Sequence, residues 1–288
     1  MEYRYALISV YDKEGIVDFS KELSHLGIRI LSTGGTAAVL QKAKIPFTEV
    51  SEVTGFPEML DGRVKTLHPV IHAGILARRD NKKHLKTLKD HHINRIDFVV
   101  CNLYPFEKTI QQPKVSIEEV IENIDIGGPT LIRAAAKNYT DVVVITNPSQ
   151  YPEILTALKS KKGIKQEQRE ALAIQAYAHT AQYDTIISQY LRHRWTDELL
   201  PQDFSVSMRK IQEMRYGENP HQKGAFYRTL PRINEPCIAT ATQLQGKELS
   251  FNNILDANCA IECIKEFREP SCVIIKHATP CGVASAST

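Results

Sequence analysis

Short β-branched runs alternate with helical periods through the first half of the chain, and few architectures accept such alternation. Candidate strands are Tyr5–Val10, Arg29–Ser32, Phe47–Val50, Phe98–Asn102 and Val142–Thr146. Helical periods fill the gaps at Lys13–His25, Thr36–Ala43, His84–His91, Ser116–Glu122, Thr130–Lys137 and Pro148–Lys159. The pattern predicts a three-layer α/β domain: a mostly parallel sheet with helices on both faces. Ligands of such sheets bind outside the carboxyl ends of the strands. Several unusual segments fall at those ends.

A stretch without Gly or Pro, rich in alanine, predicts one long helix over Gln166–Trp195. A polar turn at Leu200–Phe204 then marks a boundary, so the reading is one domain over 1–198 and another over 199–288. The second segment offers one helix and few strands, a poor independent core. It reads as the opening part of a larger domain. Its last apolar run, Cys272–Ile275, is expected to be a buried strand, followed by a small-residue tail, Ala284–Thr288.

Composition narrows the function classes. The chain of 288 residues is 42% hydrophobic and 24% charged, with a net charge of +3. No strong field points to nucleic acid or to a membrane surface. No run approaches the ~18 apolar residues of a membrane span, and Asp12 and Glu14 follow the first apolar stretch too closely for a secretory signal. Of six cysteines, five lie at or after Cys237, with no CxxC pair. Reduced thiols in a cytoplasmic protein are the expectation. His68 and His72 have metal-pair spacing, but Pro69 disfavours helix at His68 and no third ligand is at hand, so no metal is expected. His91 and His92 fall on a polar helix end and are expected to be solvated.

Ser32-Thr33-Gly34-Gly35-Thr36 leaves a strand and opens a helix. Paired glycines let backbone approach an anion, and the helix N-terminus offers free N–H donors. Such turns also occur without a ligand. Gly62–Pro69 packs Arg63, Lys65, Thr66 and His68 into six residues. In an extended segment Arg63 and Lys65 would project to one side. An ordered anion-binding loop and a solvated basic loop are the two readings.

Asn102 and Tyr104 follow a buried strand and would share a side if strand geometry persisted. They place an amide and a phenol at the sheet rim. Ile124-Asp125-Ile126-Gly127-Gly128-Pro129 enters the next helix, where Pro129 suits the first turn. Asp125 is either a helix N-terminal anion or a site carboxylate. Lys137 closes that helix about 12 Å from its start at the usual rise. Spacing alone therefore does not bring Asp125 and Lys137 together.

The ordered set SVYDK, STGGT, GFPEMLDGRVKTLHP, HAGILARR, CNLYPF and IDIGGPTLIRAAAKN resembles the bifunctional purine-biosynthesis family. That family joins IMP cyclohydrolase to aminoimidazole carboxamide ribonucleotide (AICAR) transformylase. RYGENPHQ and IIKHATPCG carry the resemblance into the tail. It implies a methylglyoxal-synthase-like domain followed by part of an α+β, cytidine-deaminase-like transformylase domain. It also implies a reaction, ring closure of formyl-AICAR to IMP with loss of water, that needs no cofactor or metal. By the same resemblance Ser9, Lys13, Ser32, Gly34, Gly35, Arg63, Thr66 and Asn102 would bind the nucleotide. Ile126, Gly127 and Gly128 would line the base or oxyanion region. Lys65, Tyr104, Asp125 and Lys137 would carry the chemistry.

In the tail, Arg215, Tyr216, Lys276 and His277 match positions the family uses for AICAR, with His277 the proton-transfer residue and 10-formyltetrahydrofolate the cosubstrate. That domain reads as truncated, so little transformylase activity is expected. The resemblance also implies homodimers joined mostly through the transformylase halves. Two other readings stand beside it, a phosphate lyase of methylglyoxal-synthase type and a non-catalytic effector-binding domain of the same fold. The second should lack the set Lys65, Tyr104, Asp125 and Lys137, and this chain has all four.

Overall fold

The structure, a computed structural model, describes residues 5–231 and 235–287. Met1–Arg4 of the N-terminal stretch and Thr288 of the tail lie outside the described residues. Contacts divide the chain into two compact units, Met1–Ser188 and Gln189–Thr288.

The first unit is built on a five-stranded sheet: β1 (Tyr5–Val10), β2 (Arg29–Ser32), β3 (Thr48–Glu49), β4 (Phe98–Asn102) and β5 (Val143–Ile145). Their order is β3-β2-β1-β4-β5, and every pair is parallel. Strands buried on both faces read as continuous apolar runs, and Ala6, Leu7, Ile8, Phe98 and Val99 are fully buried. Each large side chain so buried contributes roughly 1.5–3 kcal/mol.

The helices are α1 (Ile16–His25), α2 (Gly34–Lys42), α3 (Val50–Thr54), α4 (Pro69–Leu76), α5 (Lys82–Asp90), α6 (Phe106–Ile110), α7 (Ile117–Glu122), α8 (Gly127–Lys137), α9 (Tyr151–Lys159) and α10 (Gln166–Trp195). The chain winds outward from β1 through β2 to β3, then returns to β4 and continues to β5. Right-handed crossovers put the helices of the two halves on opposite faces. Accordingly α1 packs on α2 and α9, with Phe19 stacked on Tyr151 at 4.4 Å, while α8 packs on α4, β4 and β5. The reversal of winding falls between β1 and β4, where doubly wound sheets open a ligand crevice.

The third strand is shorter than expected, and α4 is a helix that the sequence did not mark, although His68 stays outside it as Pro69 implied. Phe47–Val50 shortens to a two-residue strand because Val50 begins α3. Pro69 starts α4 and leaves His68 outside it as an extended N-cap, whose Nδ1 accepts the Val70 N–H at 3.3 Å. His68 and His72 are therefore not a helical pair.

In the second unit, β6 (Ser207–Met214) and β7 (Gly224–Leu230) form one antiparallel ribbon. A second ribbon, β8 (Ser271–Lys276) with β9 (Thr279–Ser285), packs against α11 (Phe251–Ile264). The expected buried strand Cys272–Ile275 is only half covered. Burial alternates along β8 and Ile274 is 58% exposed, because α11 covers one face of a two-stranded sheet. Among the described residues of this unit, the buried apolar ones are Met214, Leu230 and Ile254.

Candidate active site

A cavity of about 530 Å³ opens at the carboxyl ends of β1 and β4, at the reversal of winding. Ser9 and Val10 of β1 and Cys101 and Asn102 of β4 form its floor. The N-terminal turn of α2 makes one wall, Gly62–Leu67 a second, and Tyr104 with Ile124–Gly128 a third.

The α2 end is an open anion seat. Thr33, its N-cap, makes no side-chain cap bond, so the first N–H groups keep their capacity to donate. The hydroxyls nearby are committed elsewhere. Ser32 is buried and donates to Ile8 O at 2.9 Å. Thr36 Oγ1 bridges the backbone N–H and C=O of Val10, at 3.1 and 3.0 Å. Ser32 therefore braces the sheet beneath the cavity rather than lining it, and Gly34 lines an adjoining depression shared with Lys65. Charge at the seat comes from Lys13, which lines the cavity and bonds Val10 O and Tyr11 O. Burial pulls its ammonium pKa down, opposed by Asp12 and assisted by Lys65. A bound anion would reverse that pull.

Asn102 acts on the same loop through hydrogen bonds. Its Oδ1 accepts the N–H of Tyr11 at 2.7 Å and of Asp12 at 2.8 Å. The segment between β1 and α1 is thereby pinned to the end of β4. Strand geometry stops at Asn102, and Tyr104 meets Tyr11 edge-on at 5.7 Å.

The basic loop is a turn rather than an extended strand. Arg63 is in right-handed helical conformation after a 3-10 turn, Leu60–Gly62. Its guanidinium pairs with Glu122 at the end of α7, both side chains being exposed. Lys65 turns the other way, with Nζ 3.5 Å from Glu58 Oε1. The two cations therefore do not project side by side, although both line the cavity. Thr66 is buried in its wall against Gly127.

Asp125 stands opposite. Its Oδ1 accepts the Gly128 N–H in the first turn of α8 at 2.8 Å. Burial pushes its carboxyl pKa above the usual value; the Gly128 and Tyr104 N–H groups and the charge of Lys65 pull against that. Beneath it, burial holds the Cys101 thiol protonated, with the Asp125 charge adding to the effect. A carboxylate of raised basicity, a phenol and an ammonium thus face one cavity, the set needed to move a proton and meet a growing negative charge.

Lys137 is not brought to this cavity. It is exposed at the far end of the 11-residue helix α8, about 16 Å of rigid rise from the turn that lines the cavity. The sequence reading missed Glu58 and Glu122, which pair with the two loop cations, and Tyr183 of α10, discussed below. Their sequence signals are those of surface acids and a helix aromatic.

In the second unit, Arg215 and Tyr216 follow β6, while Lys276 and His277 end β8 and begin its turn. His277 and Ala278 form that turn with φ of 51° and 57°, and Asp256 Oδ1 accepts the Ala278 N–H at 2.7 Å. The four candidates stand on two separate ribbons, and Arg215, Lys276 and His277 are exposed.

The MGS-like domain family matches residues 15–130, and the AICARFT/IMPCHase bienzyme family matches residues 135–288. The chain belongs to the AICARFT/IMPCHase bienzyme family. The bifunctional purine biosynthesis protein PurH of Acetivibrio thermocellus is 57% identical over 98% of this chain and 55% of that protein. PurH of Caldicellulosiruptor saccharolyticus is 53% identical over 97% of this chain and 55% of its own length. PurH of Oceanobacillus iheyensis is 52% identical over 96% and 54%. The chain thus spans about half the length of the curated relatives it matches. A solved structure titled "Crystal structure of ForH" superposes with a TM-score of 0.62 at 31% identity, covering 67% of this chain and all of that one. The fold is therefore an MGS-like α/β domain with a parallel sheet, followed by small antiparallel sheets of a partial AICARFT region. Among the described residues no helix is long and apolar enough to cross a membrane.

Proposed function

We propose that this chain is an IMP cyclohydrolase, closing the ring of formyl-AICAR with loss of water. The observation that carries the reading is the convergence of Lys65, Tyr104 and Asp125 on one cavity that also holds the open N-terminus of α2 with Lys13 beside it. The helix end suits a nucleotide phosphate, and the wall of Asp125 and Tyr104 suits an amide condensation.

In the reaction the carboxamide nitrogen attacks the formyl carbon. A C–N bond forms, the nitrogen gives up one proton, and the formyl oxygen becomes a hydroxyl. That hydroxyl leaves as water with a second proton, taken from the formamido nitrogen, and a C=N bond remains. Asp125 accepts the carboxamide proton; burial makes it a stronger base than a solvated carboxylate. Tyr104 donates toward the formyl oxygen as charge builds there, and Lys65 adds positive potential. Ser9, Lys13, Gly35, Thr66 and the α2 N-terminus hold phosphate and ribose. The turn Ile126–Gly128 lines the base. Arg63 is held by Glu122 and would exchange that carboxylate for the nucleotide. The family resemblance also assigns Lys137 a part. The length of α8 keeps it outside the cavity, so no step is routed through it.

We further propose the domain limits 1–198 and 199–288, a cytoplasmic location, and homodimers for the longer family members. The second domain would have the family's cytidine-deaminase-like fold. Formyl transfer from 10-formyltetrahydrofolate belongs to those longer proteins in this account. Purified chain should convert formyl-AICAR to IMP, read by absorbance. Nucleotide binding without conversion would favour the effector-binding reading.

A further inference from the structure

One group from α10 reaches the wall that carries Asp125. Tyr183 is buried, with its ring edge-on to Phe106 at 6.2 Å. Its phenol oxygen accepts the Asp125 N–H at 2.9 Å, and its hydroxyl donates to Asn123 O at 3.1 Å. Both bonds fall on the three residues Asn123–Asp125 between α7 and α8. Asp125 is therefore held by its backbone on Tyr183 and by its carboxylate on the Gly128 and Tyr104 N–H groups. Burial raises the Tyr183 pKa, which keeps the hydroxyl a donor at working pH.

We infer that Tyr183 is a positioning residue, whose phenol sets where the Asp125 carboxylate stands in the cavity. The inference rests on the reading of Asp125 as the base. Simple packing does not account for the arrangement. A phenylalanine would fill the same space against Phe106 but leave the Asp125 N–H and Asn123 C=O without the hydroxyl between them. A shift of about 1 Å in a reacting group can cost on the order of 100-fold in rate. A loop relaxed at one of its anchors should cost less.

The titratable groups facing Asp125 are Lys65 from the basic loop, Cys101 from β4, Tyr104 beyond it, and Tyr183 itself. Tyr183→Phe removes a hydroxyl and no charge. The test is made on the 288-residue chain. The Asp125 carboxyl is titrated by carbon NMR on aspartate-labelled protein, assigned with Asp125→Asn, and kcat and KM for formyl-AICAR are measured alongside.

In Tyr183→Phe the Asp125 midpoint moves upward as the Gly128 N–H bond loosens. With it the acid limb of kcat moves up, kcat falls about 10-fold, and KM stays within about 3-fold. An Asp125 midpoint unmoved or lowered overturns the inference, as does a variant that loses only thermal stability. If the parent makes no IMP, the cyclohydrolase reading fails by itself. The NMR titration still decides the positioning role, since it needs no turnover.

Discussion

The Gly128 N–H donates to Asp125 Oδ1 at 2.8 Å, and a Cβ built on Gly128 would lie 2.5 Å from Asp125 Oδ2 and 2.6 Å from Leu103 Cδ2. No side chain fits there unless the carboxylate or the leucine moves. Gly128→Ala should lose about 1–3 kcal/mol by overpacking. It should also lower kcat more than it raises KM, because the displaced group is the proposed base. Urea unfolding and steady-state kinetics check both; parent-like values for each would mean that the wall yields freely.

Asn102→Ala removes the acceptor shared by the Tyr11 and Asp12 N–H groups. The expected loss is about 1–2 kcal/mol, since these partly exposed donors regain water. The larger effect falls on binding. With its anchor gone, the loop that carries Lys13 relaxes, and KM for the nucleotide should rise about 10-fold with kcat nearly kept. A loss confined to kcat would contradict this.

Sequence made the sheet legible and the cavity wall that carries Asp125 only in part. β1, β2 and β4 occupy the spans expected from their apolar runs, because strands buried on both faces admit little else. Helix α4 escaped notice: Pro69–Leu76 is apolar on nearly every side and shows no helical period. Lys65 and Asp125 stand 60 residues apart, and only the fold brings them to one cavity. Tyr183 is a further 58 residues on, in a helix whose local pattern predicts nothing about Asp125. The alternation of Arg63 and Lys65 misled in the opposite sense, because Arg63 closes the preceding 3-10 turn in right-handed helical conformation and is not extended.

Lys65→Met keeps the aliphatic stem beside Gly62 and Gly34 while deleting the charge. Its ion pair with Glu58 is partly exposed at 3.5 Å, so stability should change by less than about 1 kcal/mol. If its ammonium meets the developing oxyanion, kcat should fall about 100-fold. An unchanged kcat with a raised KM would make Lys65 a binding residue only.

Asp125→Asn separates function from stability through pH. The folded-state carboxyl pKa is raised, chiefly by burial. Such a group favours the fold fully below its unfolded pKa, and that contribution is lost as pH rises through the folded value. Near neutral pH the parent therefore carries a buried charge that the amide variant lacks. The variant should melt higher than the parent at pH 7, and the difference should shrink as pH falls below the carboxylate range. Melting curves from pH 3 to pH 8 would reveal it; a variant less stable at pH 7 would contradict the burial account.

The most direct test is the appearance of IMP from formyl-AICAR with purified chain, followed by absorbance, beside the same protein with Asp125→Asn. The account predicts turnover in the parent and a loss of about 100-fold or more in a variant that still binds IMP. Turnover equal in both proteins would contradict it, because the carboxylate in the cavity wall would then have no part in the reaction.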